Sequence, residues 1–394
     1  MSEENLENNH VSSNMRKVAL TALAGTSIEW YDFFLYGAAA ALIFPTAFFG
    51  EVPATTALIL SLLIFAAGFI ARPIGGIIFG HFGDKIGRKK TLISALMLMG
   101  VSSTLIGLLP TYAMIGALAP ILLTILRFAQ GLAIGGQWGG AMLLVTESAP
   151  SNQRGYYGAF AQAGAPIGVI LANLALIITS ALVSDEFFNT WGWRIPFLAS
   201  AVLILVSMYI QLNLEDTKAF KELAVHRNEQ ENDEKTAIQK SPIVEAVRKY
   251  PKRIMLAAGA FINIQVTFYI LIAFLLAYGL QSAGMARDDM LTSVLIASAV
   301  MVPMQFLFSS YSDRHGRRGI FMLGAVLSGL WAFAIFPLVD TGSFWLITLA
   351  VSGGMVFLAM MYGPQAAFFT ELFSTEVRYS GATLGDRKST RLNS

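Results

Sequence analysis

The amino-acid sequence predicts an all-α polytopic membrane protein. Hydrophobic residues make up 55% of the 394 residues and charged residues only 13%, about half of the roughly 25% charged residues in soluble domains. The apolar residues are collected in ten stretches, most of them long enough to cross a bilayer as a helix. Two short motifs each occur twice in the chain, which indicates that the helices form two related halves.

Ten apolar stretches are each expected to form one transmembrane helix. They cover residues 18–44, 56–79, 91–109, 112–145, 156–182, 193–214, 254–280, 291–311, 320–338 and 344–370. Residues 215–253 are the only long polar stretch, and we interpret them as an interdomain linker. Residues 1–17 do not resemble a cleavable signal peptide, so the first helix is expected to direct insertion.

The distribution of basic residues orients the chain in the membrane. If the N-terminal segment 1–17 is cytoplasmic, 20 lysines and arginines lie on the inner side, and Arg287 alone lies in an outer loop. Cytoplasmic loops are enriched in lysine and arginine. The sequence therefore predicts a cytoplasmic N-terminus and linker in a multi-pass protein of the bacterial inner membrane.

Two motifs repeat at nearly one spacing. Residues 80–90 (GHFGDKIGRKK) return as residues 309–319 (SSYSDRHGRRG), 229 positions later, and Glu147 with Arg154 returns as Glu371 with Arg378, 224 positions later. Such parallel repeats are typical of transporters built from two halves. We predict a first six-helix half over residues 18–214 and a second half over residues 254–385.

The second half contains only four of the six helices that the repeat predicts. Residues 386–394 (DRKSTRLNS) become polar where an eleventh helix should begin. They resemble the translation of a sequencing-library adapter, and we interpret them as an artefact that ends a longer natural chain. The alternative is a genuine polar C-terminal tail.

Glu29 and Asp32 are two acidic residues inside the first apolar stretch. A carboxylate at the bilayer centre costs about 2.5–3.5 kcal/mol even on the lenient insertion scales, so such residues usually have a function. Their spacing places both on one helix face, with Tyr36 one turn further along. We predict a proton-coupling site here, with Asp32 as the preferred titrating group. The alternative is snorkelling or a structural ion pair.

Three arginines also lie within predicted membrane helices: Arg72, Arg127 and Arg194. Arginine binds carboxylates through two parallel hydrogen bonds, so these side chains are candidates to bind a substrate carboxylate or to pair with an acid. Tyr36 and Gln130 are added as candidate substrate-binding residues. Arg194, beside Trp191 and Trp193 at the expected outer end, is an equally good candidate for an interfacial anchor.

The motifs together resemble one family. Besides the repeated loop, they are residues 29–34 (EWYDFF), 71–76 (ARPIGG), 127–131 (RFAQG), 135–140 (GGQWGG), 191–197 (WGWRIPF) and 371–381 (ELFSTEVRYSG). The set resembles the metabolite:proton symporter branch of the major facilitator superfamily. That resemblance implies the major facilitator fold and carriage of proline and betaine, 2-oxoglutarate, citrate or shikimate.

The repeated loop is interpreted as a cytoplasmic latch that holds one state of the transporter closed. Its glycines permit tight turns, and its aspartate is suited to cap a helix and to pair with arginine. The predicted gating residues are Gly80, Asp84, Gly87 and Arg88 in the first half, Asp313, Gly316 and Arg317 in the second, and Glu147, Arg154, Glu371 and Arg378. A topology signal alone is the alternative for the lysines.

The predicted function is proton-coupled import of a small organic acid by alternating access. The runner-up is a zwitterion such as betaine or proline, held by aromatic rings, and a non-transporting sensor of the same fold is the alternative from another class. The chain contains no cysteine and no phosphate-binding loop, so an enzyme is not expected. We expect a monomer with no cofactor besides the coupled proton, and with substrate and lipid, not nucleic acid, as partners.

Overall fold

The computed structural model describes residues 3–86, 88–150, 152–215 and 251–372. Most of the predicted linker lies outside these ranges, as do Gly87, Arg378 and residues 386–394. Some side chains on described helices are also not described, among them those of Asp84, Arg88 and Glu147. The gating interpretation of these residues therefore stays a prediction.

The first half of the chain is helical almost throughout. Its elements are α1 (Glu3–Leu42), α2 (Phe44–Phe48), α3 (Ala54–Ile86), α4 (Arg88–Leu108), α5 (Tyr112–Ile115), α6 (Leu118–Ser148), α7 (Arg154–Leu182), α8 (Asp185–Phe187), a π-helical segment π1 (Phe188–Gly192) and α9 (Arg194–Glu215). The fourth stretch, predicted as one helix over residues 112–145, is split between α5 and α6. Gly116 causes the break, because its φ of +60° is incompatible with a continuous right-handed helix.

The second half contains four long helical segments in the described residues. They are α10 (Pro251–Tyr269), which continues through a π-helical segment π2 (Ile270–Phe274) into α11 (Leu275–Gln281), then α12 (Arg287–His315), α13 (Arg317–Asp340) and α14 (Phe344–Leu372). Glycines with positive φ, Gly284 and Gly342, lie in the turns between them. All ten predicted stretches are thus mainly helical.

The membrane-spanning character is clear for most of these helices. By length and composition alone, seven of the described helices are able to cross a membrane, or eight if the pair Asp185–Gly192 and Arg194–Tyr209, bent by 52°, is one span. α4 is apolar only over Ile93–Leu108, and the apolar run of α1 is interrupted by Glu29 and Asp32. The predicted all-α polytopic fold class is confirmed, although the count of ten spans is not reached by these criteria.

The helices pack in pairs that define both halves and their contact. In the first half α1 packs against α7, α3 against α6 and α4 against α9. In the second half α14 packs against both α12 and α13. The two halves meet where α7 contacts α12 and α14, and where α1 contacts π2 and α11.

Glycines allow α3 and α6 to touch backbone to backbone. A Cβ atom on Gly135 would collide with the carbonyl oxygen of Arg72, and one on Gly131 with that of Gly68. Small residues permit such close approach of membrane helices. These two glycines therefore hold α3 and α6 at close range, and their contact brings Arg72 and Arg127 toward each other.

Candidate functional site

Two arginines of the first half, the buried Arg127 and the half-buried Arg72, lie over the same aromatic ring. The guanidinium carbon of Arg72, on α3, lies 4.3 Å from the centroid of the Phe33 ring on α1, and that of Arg127, on α6, lies 4.1 Å from it. Cation–π attraction to the ring stabilises each guanidinium. Three helices therefore bring together two arginines that the sequence places 55 residues apart.

Further rings surround the two guanidinium groups and extend the site to the second half. Arg127 also lies over the rings of Tyr36 at 4.3 Å and Phe65 at 4.6 Å, and Arg72 lies over Phe69 at 4.8 Å. The ring of Tyr269, at the end of α10, is 4.6 Å from that of Phe69. π2 begins at the next residue, and π-helical segments are frequent at functional sites.

Both arginines have hydrogen-bond donors that are left without acceptors. Nε and Nη2 of Arg72 and Nη2 of Arg127 are buried and unpartnered, and so is the Tyr36 hydroxyl. No carboxylate forms an ion pair with either arginine within the residues that the structure describes. Unsatisfied buried donors are costly. The site is therefore suited to a ligand that brings a carboxylate of its own.

Asp32 is the buried acid of this region. The residue is 1% exposed, and neither of its carboxylate oxygens has a hydrogen-bond partner among the described residues. Glu29, one turn earlier on α1, is only half-buried and has an interaction of its own. The two acids thus occupy different environments, and Asp32 is the isolated one.

Gln130 lies between Arg127 and Ser103 and contacts both. Nη1 of Arg127 donates to Oε1 of Gln130 at 3.1 Å, and Nε2 of Gln130 donates to Oγ of Ser103 at 2.7 Å. Both ends of the amide are therefore occupied by protein groups. Gln130 was predicted to bind substrate, and the structure places it behind Arg127, where it positions the guanidinium.

Arg194 lies elsewhere, at the start of α9. Its Nη1 donates to the carbonyl of Thr190 at 2.8 Å and its Nη2 to that of Leu109 at 3.1 Å, and its guanidinium covers the Trp193 ring. These contacts hold the bend between π1 and α9. They match the anchor alternative more closely than the substrate-binding one.

The second-half copy of the repeated loop joins the two halves. Asp313, at the end of α12, accepts hydrogen bonds from the backbone N–H groups of Gly155 at 2.8 Å and Tyr156 at 2.9 Å, in the first turn of α7. Free N–H groups and the helix dipole favour a carboxylate there. Asp313 also pairs with Arg317 at 2.9 Å, and Arg317 binds both oxygens of Glu371 at 2.7 Å.

Glycine is required at two positions next to the latch formed by Asp313, Arg317 and Glu371. A Cβ on Gly155 would lie 2.7 Å from Nη1 of Arg317 and 2.8 Å from the Asp313 carboxylate. Gly316 has a φ of +86° at the turn between α12 and α13. Two further residues were predicted to act in gating. Arg154 is half-buried, and its Nε has no partner. Gly80 lies within α3.

A second contact between the halves lies at the opposite end of α12. Arg287 pairs with Asp185 on α8 at 3.3 Å, donates to the Asn189 side chain at 3.4 Å and covers the Phe188 ring at 4.2 Å. It also contacts the neighbouring Asp288 at 3.2 Å, whose carboxylate accepts from Ser180 on α7. We call Arg287 with Asp185, Phe188 and Asn189 the outer clamp, because the distribution of basic residues predicts that this loop lies outside.

Sequence reasoning missed the residues that complete these sites. Phe33, Phe65 and Phe69 form the walls around the arginines, and the i, i+4 spacing of the last two was a readable sign of one shared helix face. Ser103 carried no signal, since serines are common in membrane helices. Arg287 was noticed only as the single basic residue of the outer loops.

Comparison with known proteins matches this architecture over most of the chain. The family described as Major Facilitator Superfamily matches residues 22–385. Among solved structures, the xylose transporter XylE from E. coli in a partially occluded inward-open conformation has a TM-score of 0.73 at 17% identity, covering 94% of this chain and 88% of XylE. At that identity the likeness shows the fold.

Curated relatives are transporters rather than enzymes. The inner membrane metabolite transport protein YhjE of Escherichia coli K12 is 39% identical over 94% of this chain and 83% of its own, and the shikimate transporter of the same organism is 37% identical over 95% and 84%. The proline/betaine transporter of that organism is 33% identical over 93% and 73%. The chain therefore belongs to the Major Facilitator Superfamily of membrane transporters.

Proposed function

We propose that the protein imports a small organic acid together with a proton, by alternating access, across the bacterial inner membrane. The observation that carries the proposal is that the guanidinium groups of Arg72 and Arg127 together have three buried nitrogen donors without an acceptor. A carboxylate satisfies such donors in bidentate geometry, with charge-assisted hydrogen bonds. The similarity to a shikimate transporter supports the same substrate class.

Asp32 is the proposed proton carrier. It is a buried carboxylate without an ion pair among the described residues, so its charge is not neutralised by a fixed partner. An ionised carboxyl group in that position is costly, and protonation removes the cost. Asp32 would bind a proton from the outside and release it to the cytoplasm. This would couple the proton gradient to the movement of the acid.

Alternating access requires contacts that close each end in turn. The latch of Asp313, Arg317 and Glu371 joins α12 to the first turn of α7 at one end, and the outer clamp joins α12 to α8 at the other. The charge distribution of the loops supports a cytoplasmic position for the latch and for both the N-terminus and the linker. Rocking of one half against the other would break one contact at a time.

Zwitterions such as betaine and proline are the second substrate candidate, favoured by the similarity to a proline/betaine transporter. Aromatic rings bind quaternary ammonium groups. In this site, however, the rings of Phe33 and Tyr36 already face guanidinium groups. A second cation there would be repelled, and this favours the acid.

Uptake into proteoliposomes tests the proposal. Radiolabelled shikimate, 2-oxoglutarate, betaine and proline are each offered with an inward proton gradient and without one. We expect an acid to accumulate only with the gradient, and its addition to alkalinise a weakly buffered medium. Saturable uptake of betaine or proline alone would overturn the acid assignment. Binding of an acid without transport or proton movement would indicate a sensor.

A further inference from the structure

We propose that Tyr269 is a specificity-determining residue that the second half contributes to the acid site, and that its hydroxyl binds a hydroxyl or keto oxygen of the substrate. This inference rests on the proposed function, since it concerns the same site. The charged groups of that site, Arg72 and Arg127, both belong to the first half. A substrate that also contacts Tyr269 therefore joins the two halves.

Tyr269 packs against the same three phenyl rings as the two guanidinium groups. Its ring centroid lies 4.6 Å from that of Phe69, 5.7 Å from that of Phe65 and 6.0 Å from that of Phe33. The guanidinium carbons of the two arginines lie between 4.1 Å and 4.8 Å from the centroids of these rings. The tyrosine therefore forms one wall of the site that contains both arginines.

The hydroxyl of Tyr269 has no protein partner. The backbone of Tyr269 belongs to α10, whereas its ring lies among rings of α1 and α3. The hydroxyl is at the end of the ring remote from the backbone, and its oxygen is buried without a hydrogen bond among the described residues. An unpaired buried hydroxyl is costly. Packing alone would be served better by phenylalanine, which is the residue at the preceding position, Phe268.

The guanidinium groups and the hydroxyl suit different parts of one substrate. The three unpartnered nitrogens of Arg72 and Arg127 are sufficient to bind both oxygens of a carboxylate. A tyrosine hydroxyl both donates and accepts, so it fits a hydroxyl group, and as a donor it fits a keto oxygen. An analogue that lacks this oxygen leaves the Tyr269 hydroxyl unpaired, and sites built to bind such a group discriminate against analogues without it.

The position of Tyr269 also relates substrate binding to the contact between the halves. Tyr269 is the last residue of α10, and π2, which begins at the next residue, packs against α1. The Tyr269 ring itself packs against Phe33 and Phe34 of α1. A substrate that binds the arginines and Tyr269 together therefore favours the conformation in which α10 lies close to α1 and α3.

Calorimetric titration of the purified protein with paired acids tests the role of the hydroxyl. The pairs are shikimate with cyclohex-1-ene-1-carboxylate and 2-oxoglutarate with glutarate, in which the second acid lacks the hydroxyl or keto oxygens. We expect the wild-type protein to bind the oxygenated acid of at least one pair more tightly. Tyr269→Phe should reduce that ratio of dissociation constants about 2-fold to 10-fold, the range of one neutral hydrogen bond, without weakening the binding of the other acid.

Tyr278→Phe is the matched control, because the Tyr278 hydroxyl donates to Asp340 at 2.7 Å, at the end of α13. It should keep the wild-type ratio. The thermal unfolding midpoint of Tyr269→Phe should be no lower than that of the wild-type protein, since the hydroxyl has no protein partner.

Two results would overturn the inference: an unchanged ratio in Tyr269→Phe, or equal weakening of both acids, which would indicate a packing role. A wild-type protein that binds none of the four acids, or binds both acids of each pair equally, would overturn it as well. Failure of the proposed function is distinguishable, because a protein that shows the expected ratios in the titration but does not transport the acids would overturn the proposed function and leave the assignment of Tyr269 intact.

Discussion

The carboxylate of Asp313 accepts a 2.8 Å hydrogen bond from the backbone N–H of Gly155, and so joins the end of α12 to the first turn of α7. One residue of the second half thereby caps a helix of the first half. Arg317 holds Asp313 in place at 2.9 Å and is itself held by Glu371. The second copy of the repeated loop is therefore more than a turn, because it forms an interface between the two halves. In the proposed mechanism this interface opens during transport.

Arg317→Gln is expected to reduce uptake several-fold while the protein still inserts into the membrane. The substitution removes the ion pairs to Asp313 and Glu371, which together fix the cap on α7. Initial uptake rate and the amount of protein in the membrane are the two measurements. Arg318→Gln is the matched control, since Arg318 is exposed and has no contact of this kind. Equal rates in the two variants would argue against the latch.

Arg127→Lys is expected to weaken binding of the acid about 10-fold to 100-fold. Lysine keeps the charge but lacks the planar pair of donors, and a hydrogen bond to a charged group contributes about 1.5–3 kcal/mol. The half-saturation concentration for exchange is the quantity to measure. Arg194→Lys serves as comparison, because the Arg194 guanidinium contacts backbone carbonyls. A larger loss in Arg194→Lys would move the substrate site to α9.

Gly135→Ala is expected to destabilise the protein by about 1–3 kcal/mol, as overpacking does in other tightly packed interiors. The new Cβ would collide with the carbonyl oxygen of Arg72, which cannot yield without separating α3 from α6. The thermal unfolding midpoint in detergent reports the loss. Gly329→Ala on α13 is the control, since a Cβ there meets no atom within 4 Å. A midpoint that falls equally in both variants would contradict the packing argument.

Arg287→Gln is expected to favour opening of the end closed by the outer clamp. Leu176 on α7 is buried between Asn173 and Ser180, both of which contact α12. Because the chain has no cysteine, Leu176→Cys is a clean reporter of access. Alkylation of that cysteine from outside should be faster with Arg287→Gln than without it. Unchanged alkylation would show that the clamp does not control the outer end.

Sequence patterns predicted the helices because apolar length is a local property. They also identified Asp32, Arg72 and Arg127, since a charge in an apolar run is conspicuous. Which charges meet depends on helix packing. The meeting of Arg72 and Arg127 over Phe33 depends on the close approach of α3 and α6, and Arg194 lies apart because π1 bends the chain before α9. The hydrogen bonds of Gln130 with Arg127 and Ser103 could be identified only from the structure.

The most direct test of proton coupling is Asp32→Asn. The asparagine has nearly the same shape and cannot carry a proton, so the acid site remains while the coupling group is lost. With the acid that the wild-type protein transports, we expect Asp32→Asn to keep exchange between equal concentrations on both sides and to lose accumulation driven by an inward proton gradient. Undiminished accumulation in Asp32→Asn would contradict the account.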